Sequence, residues 1–323
     1  MTGMKKALLD AETRRWLADI TSGRVRYDEP MSLHTSFRVG GPAEAFVEVK
    51  SADELVALVS GLAVKDAPYH VVGGGTNLIV TDAGISGVVI CLKPYISDMV
   101  IEDAGSSHAR VTVSAGTSLP LFCSHAIRNG LKGMNFALGI PGTVGGAIRM
   151  NAGTALGWIS DVLDSILVLY PSGRLERIGR NSLSFSYRKL TLPQSFGENS
   201  FSHETIIVSG RFSLVRENAI DLKQAAGEIL RNRKHRQPMS LLSAGCIFKN
   251  PSTGKTAGEL IDLCGLKGRK IGGAEISIKH ANFIVNTGSA TAADILALMD
   301  SMRQIVDQQF HVNLEPEVIV IGN

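Results

Sequence analysis

The chain has 323 residues, of which 44% are hydrophobic and 20% are charged, proportions typical of a folded globular protein. This length allows two domains, or one large domain with a substantial core. A formal net charge of +3, from 33 basic and 30 acidic residues, is too balanced and too evenly spread to indicate a nucleic-acid-binding protein. It still permits a local basic pocket for an anionic ligand.

Cysteine usage favours a reducing compartment, and hydropathy argues against a membrane-spanning segment. Cys91, Cys123, Cys246 and Cys264 show no spacing typical of metal ligands and no disulfide framework, so the sequence predicts neither a metal site nor disulfides. The N-terminal stretch carries charges throughout and lacks the apolar segment of a signal peptide. No run of about 18 apolar residues is present, so we expect a cytoplasmic protein without membrane insertion.

The first elements follow from simple patterns. Apolar positions in residues 5–22 recur with helical spacing and predict a peripheral helix. AEAFVEV alternates as a strand, and Ser51-Ala52-Asp53-Glu54 is typical of a helix N-terminus. The next strand, YHVV, leads directly into Gly73-Gly74-Gly75-Thr76-Asn77. Three glycines followed by two small polar side chains form a cradle that can present N–H groups to a diphosphate.

A second glycine-rich stretch, GIPGTVGGAIRMNAG, covers Gly139–Gly153. It matches neither the GxGxxG pattern that opens a helix nor the GxxxxGK[ST] pattern. Glycine permits positive φ and lets a ligand approach bare N–H groups. The stretch therefore indicates either a loop along a phosphate-bearing cofactor or a tight connection between packed strands. The earlier GGGTN loop favours the cofactor.

The segment between the two loops predicts strands, a turn at Ala115-Gly116, and a helix that ends near Asn129-Gly130. After the second loop we expect a hairpin turning at Pro171-Ser172-Gly173, and ETIIVSGRFSLV predicts a further strand pair. A helix in AIDLKQAAGEILRNRKHRQP, with a strongly basic end, marks a domain boundary. Beyond it the pattern predicts a strand at SAGCIFKNP, a helix, a strand pair, a long helix capped near Thr291 and a final strand.

Taken together, these stretches resemble the UDP-N-acetylenolpyruvoylglucosamine reductase family of peptidoglycan synthesis. The residues that carry the resemblance are HTSFRVGGPA, VVGGGTNLIV, GIPGTVGGAIRMNAG, SYR, AGCIFKNP, AGELIDLCGLKGRKIGGAEIS, HANFIVN and LEPEV. The resemblance implies an α+β fold with a two-part FAD-binding domain of the vanillyl-alcohol-oxidase (PCMH) type and a smaller α+β substrate domain. We expect a lead-in at residues 1–30, the FAD domain at 31–215 and the substrate domain at 216–323.

The resemblance also implies a reaction. NADPH reduces a noncovalently bound FAD, and a hydride and a proton then convert UDP-N-acetylglucosamine enolpyruvate to UDP-N-acetylmuramate. The cofactor supplies the hydride chemistry, so the protein must position, polarise and protonate. The sequence itself does not indicate NADPH over NADH, nor an oligomeric state.

Two charged residues match the catalytic positions of the family. Hydride addition to the enolpyruvyl group pushes negative charge onto its carboxylate, which then needs cationic help. Arg188 matches the catalytic arginine, and its planar donor fork suits a carboxylate; without the resemblance, a surface arginine is the simpler reading. Glu317 matches the catalytic glutamate, which must be protonated or act through a partner. Glu315 is the alternative, and only the resemblance favours Glu317.

The expected proton donor departs from the family, because many members have serine where this chain has Cys246 in AGCIFKNP. A thiol keeps a transferable proton, although it is a weaker hydrogen-bond donor and is open to oxidation. The substitution puts the efficiency of the donor in doubt rather than the reaction. Ser243 lies three residues away, too far along an extended segment to replace it.

Binding residues are carried over by the same resemblance. The FAD ligands are expected at Val72, Gly73, Gly74, Gly75, Thr76, Asn77, Ala115, Gly116, Gly139, Pro141, Gly142, Thr143, Gly145, Gly146 and Asn151. The substrate ligands are expected at Tyr187, Lys234, Lys249 and Asn250. Arg236 is a further candidate, together with Lys234, for the contact with the substrate diphosphate, and other basic residues of 231–236 could serve equally.

One subclass of the family has an inserted loop with a tyrosine that covers the substrate. Here residues 189–205, KLTLPQSFGENSFSHET, are short and contain no tyrosine, so the chain resembles the subclass without it. Two other functions stay open: a flavin oxidase of the same fold acting on an alcohol or sugar, and a nucleotide-sugar binder without catalysis. SYR, AGCIFKNP and PEV argue against the oxidase, and Arg188 with Glu317 argues against the binder.

Overall fold

The computed structural model describes residues 9–92, 99–192, 205–252 and 254–323. The helices are α1 (Ala11–Ile20), α2 (Ala52–Val64), α3 (Leu119–Arg128), α4 (Val144–Arg149), α5 (Ile159–Val162), α6 (Ala219–Arg236), α7 (Ala257–Leu263) and α8 (Ala292–Phe310). The strands are β1 (Arg26–Pro30), β2 (Pro42–Glu48), β3 (Tyr69–Val72), β4 (Leu78–Val80), β5 (Ile85–Cys91), β6 (Met99–Asp103), β7 (His108–Ser114), β8 (Leu131–Lys132), β9 (Gly153–Thr154), β10 (Gly157–Trp158), β11 (Leu163–Leu169), β12 (Leu175–Gly179), β13 (Ser184–Ser186), β14 (Lys189–Thr191), β15 (Ile206–Arg216), β16 (Lys270–Ile271), β17 (Ala274–Ile276), β18 (Ile284–Asn286) and β19 (Ile319–Ile321).

The chain forms two compact units, and both are discontinuous in sequence. The first unit comprises Met1–Tyr27, Glu44–Gly74 and Ser86–Arg231, and the second comprises Asp28–Ala43, Gly75–Ile85 and Asn232–Asn323. β4 follows the first glycine loop but pairs in parallel with β19, near the C-terminus, which places residues 75–85 in the second unit. The contiguous domain ranges 1–30, 31–215 and 216–323 remain a prediction about the family's domains.

Residues of the first unit form most of two larger sheets. Strands β12-β11-β15-β7-β6 form an antiparallel sheet to which β8 adds at β15, and β1-β2-β5-β3 form a second sheet in which β3 and β5 are parallel. Its core includes Phe122 and Phe212, whose ring centroids lie 4.9 Å apart.

The expected strand pair at ETIIVSGRFSLV was wrong, because residues 206–216 form the single strand β15. Gly210 lies inside this strand rather than at a turn. A Cβ on Gly210 would lie 2.6 Å from Cδ1 of Ile148 in α4, so the glycine permits the close approach of that helix.

The second unit packs α7 and α8 with the antiparallel sheet β16-β17-β18 around a core that includes Phe37, Phe248, Ile284 and Leu298. The expected strand at SAGCIFKNP is not regular. It makes isolated bridges from Cys246 to Phe283 and from Phe248 to Pro316. The segment therefore runs between two neighbouring stretches without joining a continuous ladder.

Several helix ends were predicted correctly. Ser51 accepts a hydrogen bond from the N–H of Glu54 (3.1 Å), and Thr291 accepts one from the N–H of Asp294 (3.1 Å). α3 ends at Arg128, and Gly130 has φ +65°. α1 begins after Asp10; the remainder of the helix expected over 5–22 falls partly before residue 9, outside the described residues. No helix in the described ranges is both long and apolar enough to cross a membrane.

Candidate active site

The first unit brings three loops together beside α4. Gly73 directly follows β3 and lies against Thr143, the N-cap of α4. A Cβ on Gly73 would lie 2.3 Å from the Thr143 hydroxyl oxygen. Thr143 Oγ1 accepts from the N–H of Gly146 at 3.3 Å, so this oxygen is held in place. The two glycine loops of the sequence are therefore neighbours, which favours a shared ligand over two unrelated turns.

The third loop, residues 115–118, runs antiparallel to the loop before α4. Leu119 N–H donates to Gly142 O (2.9 Å), Val144 N–H to Thr117 O (2.9 Å) and Gly145 N–H to Ala115 O (2.8 Å). A Cβ on Gly145 would lie 2.8 Å from that of Ala115. Bare glycines thus allow these backbones to pack closely, and the predicted ligands Ala115, Gly116, Gly142, Thr143 and Gly145 lie together.

Unpaired backbone donors mark these loops as an anion-binding surface. Among the described residues of the first unit, the N–H groups of Gly73, Gly74, Gly116, Gly142 and Thr143 bond no acceptor. In the second unit, taken by itself, the same holds for the N–H groups of Gly75, Thr76 and Asn77. Successive free N–H groups form concave sites for phosphate oxygens. The residues present therefore fit the diphosphate of FAD, whose remaining predicted contacts at Val72, Gly139, Pro141 and Gly146 stay predictions.

Sequence reasoning missed Thr117. Its side chain is fully buried where the loops meet, and its hydroxyl has no hydrogen-bond partner within the described ranges. A buried hydroxyl without a partner costs on the order of 1–3 kcal/mol, which a fold tolerates mainly at functional sites. Its position directly after the predicted turn Ala115-Gly116 is the signal that could have identified it.

Arg188 lies at the tip of the β13–β14 hairpin, in a two-residue turn with Tyr187. Its φ is +58°, a left-handed conformation that a non-glycine residue rarely adopts without a reason. Its guanidinium donates from Nη1 to Gly153 O (3.1 Å) and lies 5.5 Å from the ring centroid of Trp158 and 5.2 Å from that of Tyr187. A strained backbone and a supported head group are features of a functional arginine.

Asn151, predicted as an FAD ligand, joins the elements around this hairpin. It is buried with φ +40°, donates from Nδ2 to Ser186 O (3.1 Å) and accepts at Oδ1 from Ser160 N–H (3.1 Å). The side chain therefore ties β13 to the first turn of α5. Its contact with a cofactor stays a prediction beside this structural role.

In the second unit, the segment with Cys246 lies along the segment with Glu317. Glu317 N–H donates to Ile247 O (2.7 Å), and Lys249 N–H donates to Glu315 O (2.9 Å). The side chain of Asn77 donates from Nδ2 to Glu317 O (3.1 Å), and the backbone carbonyl of Asn77 accepts from Ile319 N–H (2.9 Å). Asn77, predicted as an FAD ligand, therefore also fixes the backbone that carries Glu317.

The two acids of LEPEV differ in environment. The Glu315 side chain is 71% exposed and pairs with Lys249 at 3.3 Å, a surface ion pair worth little to stability. Glu317 is half-buried, and its peptide is held on both sides. This difference supports Glu317 as the functional acid.

Asn282 is the second residue that the sequence did not reveal. It is buried, accepts at Oδ1 from Phe248 N–H (3.0 Å) and donates from Nδ2 to Phe248 O (2.8 Å). Its own carbonyl accepts from Ile247 N–H (2.9 Å). One amide side chain thus substitutes for a strand partner and holds the segment that follows Cys246.

The remaining predicted substrate ligands are spread over exposed positions. Asn250 accepts at Oδ1 from Ala257 N–H (3.1 Å) at the start of α7, and the carbonyl of Lys234 accepts from Lys279 Nζ (2.7 Å). Tyr187 is 40% exposed, in the first unit. The roles of these residues stay predictions.

Comparison with known proteins identifies the family. Residues 43–179 match the family described as FAD binding domain, and residues 237–321 match the C-terminal domain of UDP-N-acetylenolpyruvoylglucosamine reductase. The reductase of Desulfosudis oleivorans is 44% identical over 97% of this chain and 100% of its own length. The chain belongs to the UDP-N-acetylenolpyruvoylglucosamine reductase family.

Other members of the family also match almost the whole length of this chain. The reductase of Syntrophus aciditrophicus is 40% identical over 98% of this chain and 97% of its own length. A crystal structure of the reductase from Thermus caldophilus matches 93% of this chain and 99% of that chain, with 37% identity and a TM-score of 0.76. The expected fold class, an FAD-binding part followed by a smaller α+β domain, is confirmed. The segment that decides the lid subclass includes residues 193–204, outside the described residues, so that detail stays a prediction.

His280 supports the Cys246 segment through the turn at 280–283 and gives a pH-dependent prediction. Its Nδ1 accepts from Asn282 N–H (3.3 Å), and its ring lies edge-on to Phe283 with centroids 4.8 Å apart. Burial, with the nearby Lys267 charge, lowers the pKa of His280 from its usual 6.5. The unfolded chain thus binds more protons near this pH. The stabilising contribution of neutral His280 is present above pH 6.5 and is lost as the pH falls through the lowered pKa of this residue.

We therefore expect the free energy of unfolding of the wild type to fall as pH decreases below 6.5, more steeply than that of His280→Asn. Asparagine offers an oxygen near the position of Nδ1 and does not titrate. Urea unfolding at a series of pH values measures the difference. The exposed His235→Asn should retain the wild-type slope; parallel curves for the wild type and His280→Asn would contradict this role.

Proposed function

We propose that the chain catalyses the FAD-dependent, NADPH-driven reduction of UDP-N-acetylglucosamine enolpyruvate to UDP-N-acetylmuramate, a step of peptidoglycan precursor synthesis. The observation that carries the proposal is the near-complete match to reductases of this name, at 44% identity across the chain. The glycine loops with unpaired donors and the strained, ring-supported Arg188 add physical support from the chain itself.

Bound FAD would supply the hydride-transfer chemistry between NADPH and the enolpyruvyl group. The backbone donors of residues 73–77 and of the loops before and beside α4 bind the diphosphate of FAD. Arg188 binds the substrate carboxylate and stabilises the negative charge that develops on it. A guanidinium already held by Gly153 O and two rings needs little reorganisation at that moment.

Cys246 delivers a proton to the substrate carbon next to the carboxylate. Its thiol is half-buried and free of disulfide bonding, on a segment fixed by Asn282 and by the Glu317 peptide. Glu317 acts beside it, orienting the substrate or a water from which the thiol regains its proton.

The proposal also covers the residues that bind the UDP-sugar and the cellular location of the protein. Lys249, Asn250, Tyr187 and Lys234 bind the UDP-sugar. The described residues include all four cysteines and hold no disulfide bond. A cytoplasmic location, which is a reducing compartment, is proposed on the cysteine usage of the sequence. No nucleic acid is expected as a partner, and the oligomeric state is left open.

A serine and an alanine at position 246 should separate proton donation from packing. We expect Cys246→Ala to slow oxidation of the reduced flavin by the enolpyruvyl substrate by about 10²- to 10⁴-fold, the range for a lost general acid, while Cys246→Ser retains most of the rate. Reduction of FAD by NADPH should change little in either variant. Stopped-flow absorbance of the flavin measures both half-reactions; Cys246→Ala rates equal to the wild type would remove the thiol from this role.

Steady-state turnover tests the proposed reaction as a whole. NADPH oxidation should depend on the enolpyruvyl substrate, and mass spectrometry should show a product with two more hydrogen atoms than the substrate. NADPH consumption that is independent of this substrate, with no reduced product, would refute the proposal.

A further inference from the structure

The guanidinium of Arg188 is held by a second hairpin, β9–β10, in which Gly153 pairs with Trp158 and Thr154 with Gly157. One strand supplies the carbonyl that accepts from Arg188 Nη1 at 3.1 Å, and the other supplies the indole ring 5.5 Å from the guanidinium carbon. We infer that Trp158 is a positioning residue for Arg188, and that its electron-rich face sets the orientation of the guanidinium for catalysis. This inference rests on the proposed function.

The indole is itself fixed in place. A Cβ on Gly153 would lie 2.4 Å from Trp158 Cε3, so the ring packs directly against the bare Cα of the glycine. The backbone N–H of Trp158 donates to Asp161 Oδ2 (2.8 Å) at the start of α5, which fixes the main chain that carries the ring. The last glycine of GIPGTVGGAIRMNAG therefore has a specific role: it makes room for the ring that supports Arg188.

The arrangement suits a catalytic cation. Tryptophan is the aromatic side chain that attracts a cation most strongly. The Trp158 and Tyr187 rings meet edge to face, with centroids 5.7 Å apart and planes at 81°, so both border the same guanidinium. Neither ring contact nor the Gly153 carbonyl neutralises the positive charge. Arg188 thus keeps its charge for the substrate carboxylate while its side-chain freedom is reduced.

Graded fluorination of Trp158 tests the electronic part of this role without changing the packing. The chain has two tryptophans, so a Trp16→Phe background leaves Trp158 as the only site for fluorotryptophan incorporation. Fluorine withdraws electron density from the ring and weakens cation attraction stepwise. We expect the rate of flavin oxidation by saturating enolpyruvyl substrate to fall progressively with fluorine number, while reduction by NADPH stays within about twofold.

Substitutions give an independent test. Trp158→Leu should slow substrate-dependent flavin oxidation by about tenfold at saturating substrate. Trp158→Phe, which keeps an aromatic ring, should retain most of the wild-type rate. Gly153→Ala should resemble Trp158→Leu, because the added methyl group displaces the indole. Leu156→Ala is the matched control, since Leu156 lies in the same hairpin with 62% of its surface exposed.

The outcomes are distinguishable. A rate that does not respond to fluorination, or equal rates for Trp158→Leu and Trp158→Phe, would overturn the role of Trp158 and leave the proposed function intact. A wild-type flavin that the enolpyruvyl substrate does not oxidise would overturn the proposed function itself.

Discussion

Replacing Arg188 with glycine or alanine is expected to slow flavin oxidation by the enolpyruvyl substrate about 10²- to 10³-fold, the cost of removing a preorganised charge-stabilising donor. The two variants should differ in stability rather than in activity. Arg188 has φ +58°, which costs a residue with a Cβ roughly 1–2 kcal/mol and glycine almost nothing. Arg188→Gly should therefore be more stable than Arg188→Ala by about 1 kcal/mol.

Urea unfolding and stopped-flow absorbance measure the two effects separately. Arg188→Lys keeps the charge but loses the planar fork, and we expect it to remain at least about tenfold slower than the wild type. Lys189→Ala is the matched control, because Lys189 is exposed and adjacent in the same hairpin. An alanine variant with wild-type substrate oxidation would exclude Arg188 from catalysis, and equal stability of the glycine and alanine variants would argue against backbone strain.

Gly73→Ala is expected to weaken FAD binding strongly. Its Cβ would lie 2.3 Å from Thr143 Oγ1, closer than non-bonded atoms approach, so either the first glycine loop or the N-terminus of α4 must move. Overpacking of this kind costs about 1–3 kcal/mol. Because the free N–H groups follow directly in residues 73–77, we expect roughly a tenfold to hundredfold rise in the dissociation constant of FAD, measured by flavin fluorescence titration.

A second substitution shows whether the clash is the cause. Gly73→Ala with Thr143→Ala removes the opposing hydroxyl and should bind FAD more tightly than Gly73→Ala alone, although the lost N-cap costs about 1 kcal/mol. Gly179→Ala is the control, since nothing lies within 4 Å of its added Cβ. Unchanged FAD affinity in Gly73→Ala would mean that this contact does not shape the binding loop.

Local signals account for what the sequence predicted well. The Ser51 and Thr291 caps, the turn at Gly173 and the helix end near Gly130 each depend on a few adjacent residues, and all are present. The glycine loops were also recognisable, because bare backbone in such density has few uses in a packed domain.

Long-range contacts account for what it did not reveal. Asn282 bonds to Phe248, 34 residues away, and Asn77 bonds to Glu317, 240 residues away, and such side-chain contacts leave no periodic trace. ETIIVSGRFSLV was expected to form a strand pair but forms the single strand β15, in which Gly210 permits a helix contact. A glycine needed for such a contact looks the same in sequence as a glycine needed for a bend. The placement of residues 75–85 in the second unit follows from one parallel pairing, β4 with β19, that no local pattern predicts.

The most direct test of the central claim is an anaerobic single turnover. The flavin of the wild-type protein is first reduced with NADPH, and UDP-N-acetylglucosamine enolpyruvate is then added while flavin absorbance is followed. We predict prompt return of the oxidised spectrum with one equivalent of UDP-N-acetylmuramate formed per flavin. A flavin that stays reduced after this substrate is added would contradict the reductase assignment. Reduction of the flavin by an alcohol or sugar, followed by its oxidation by molecular oxygen, would then indicate an oxidase.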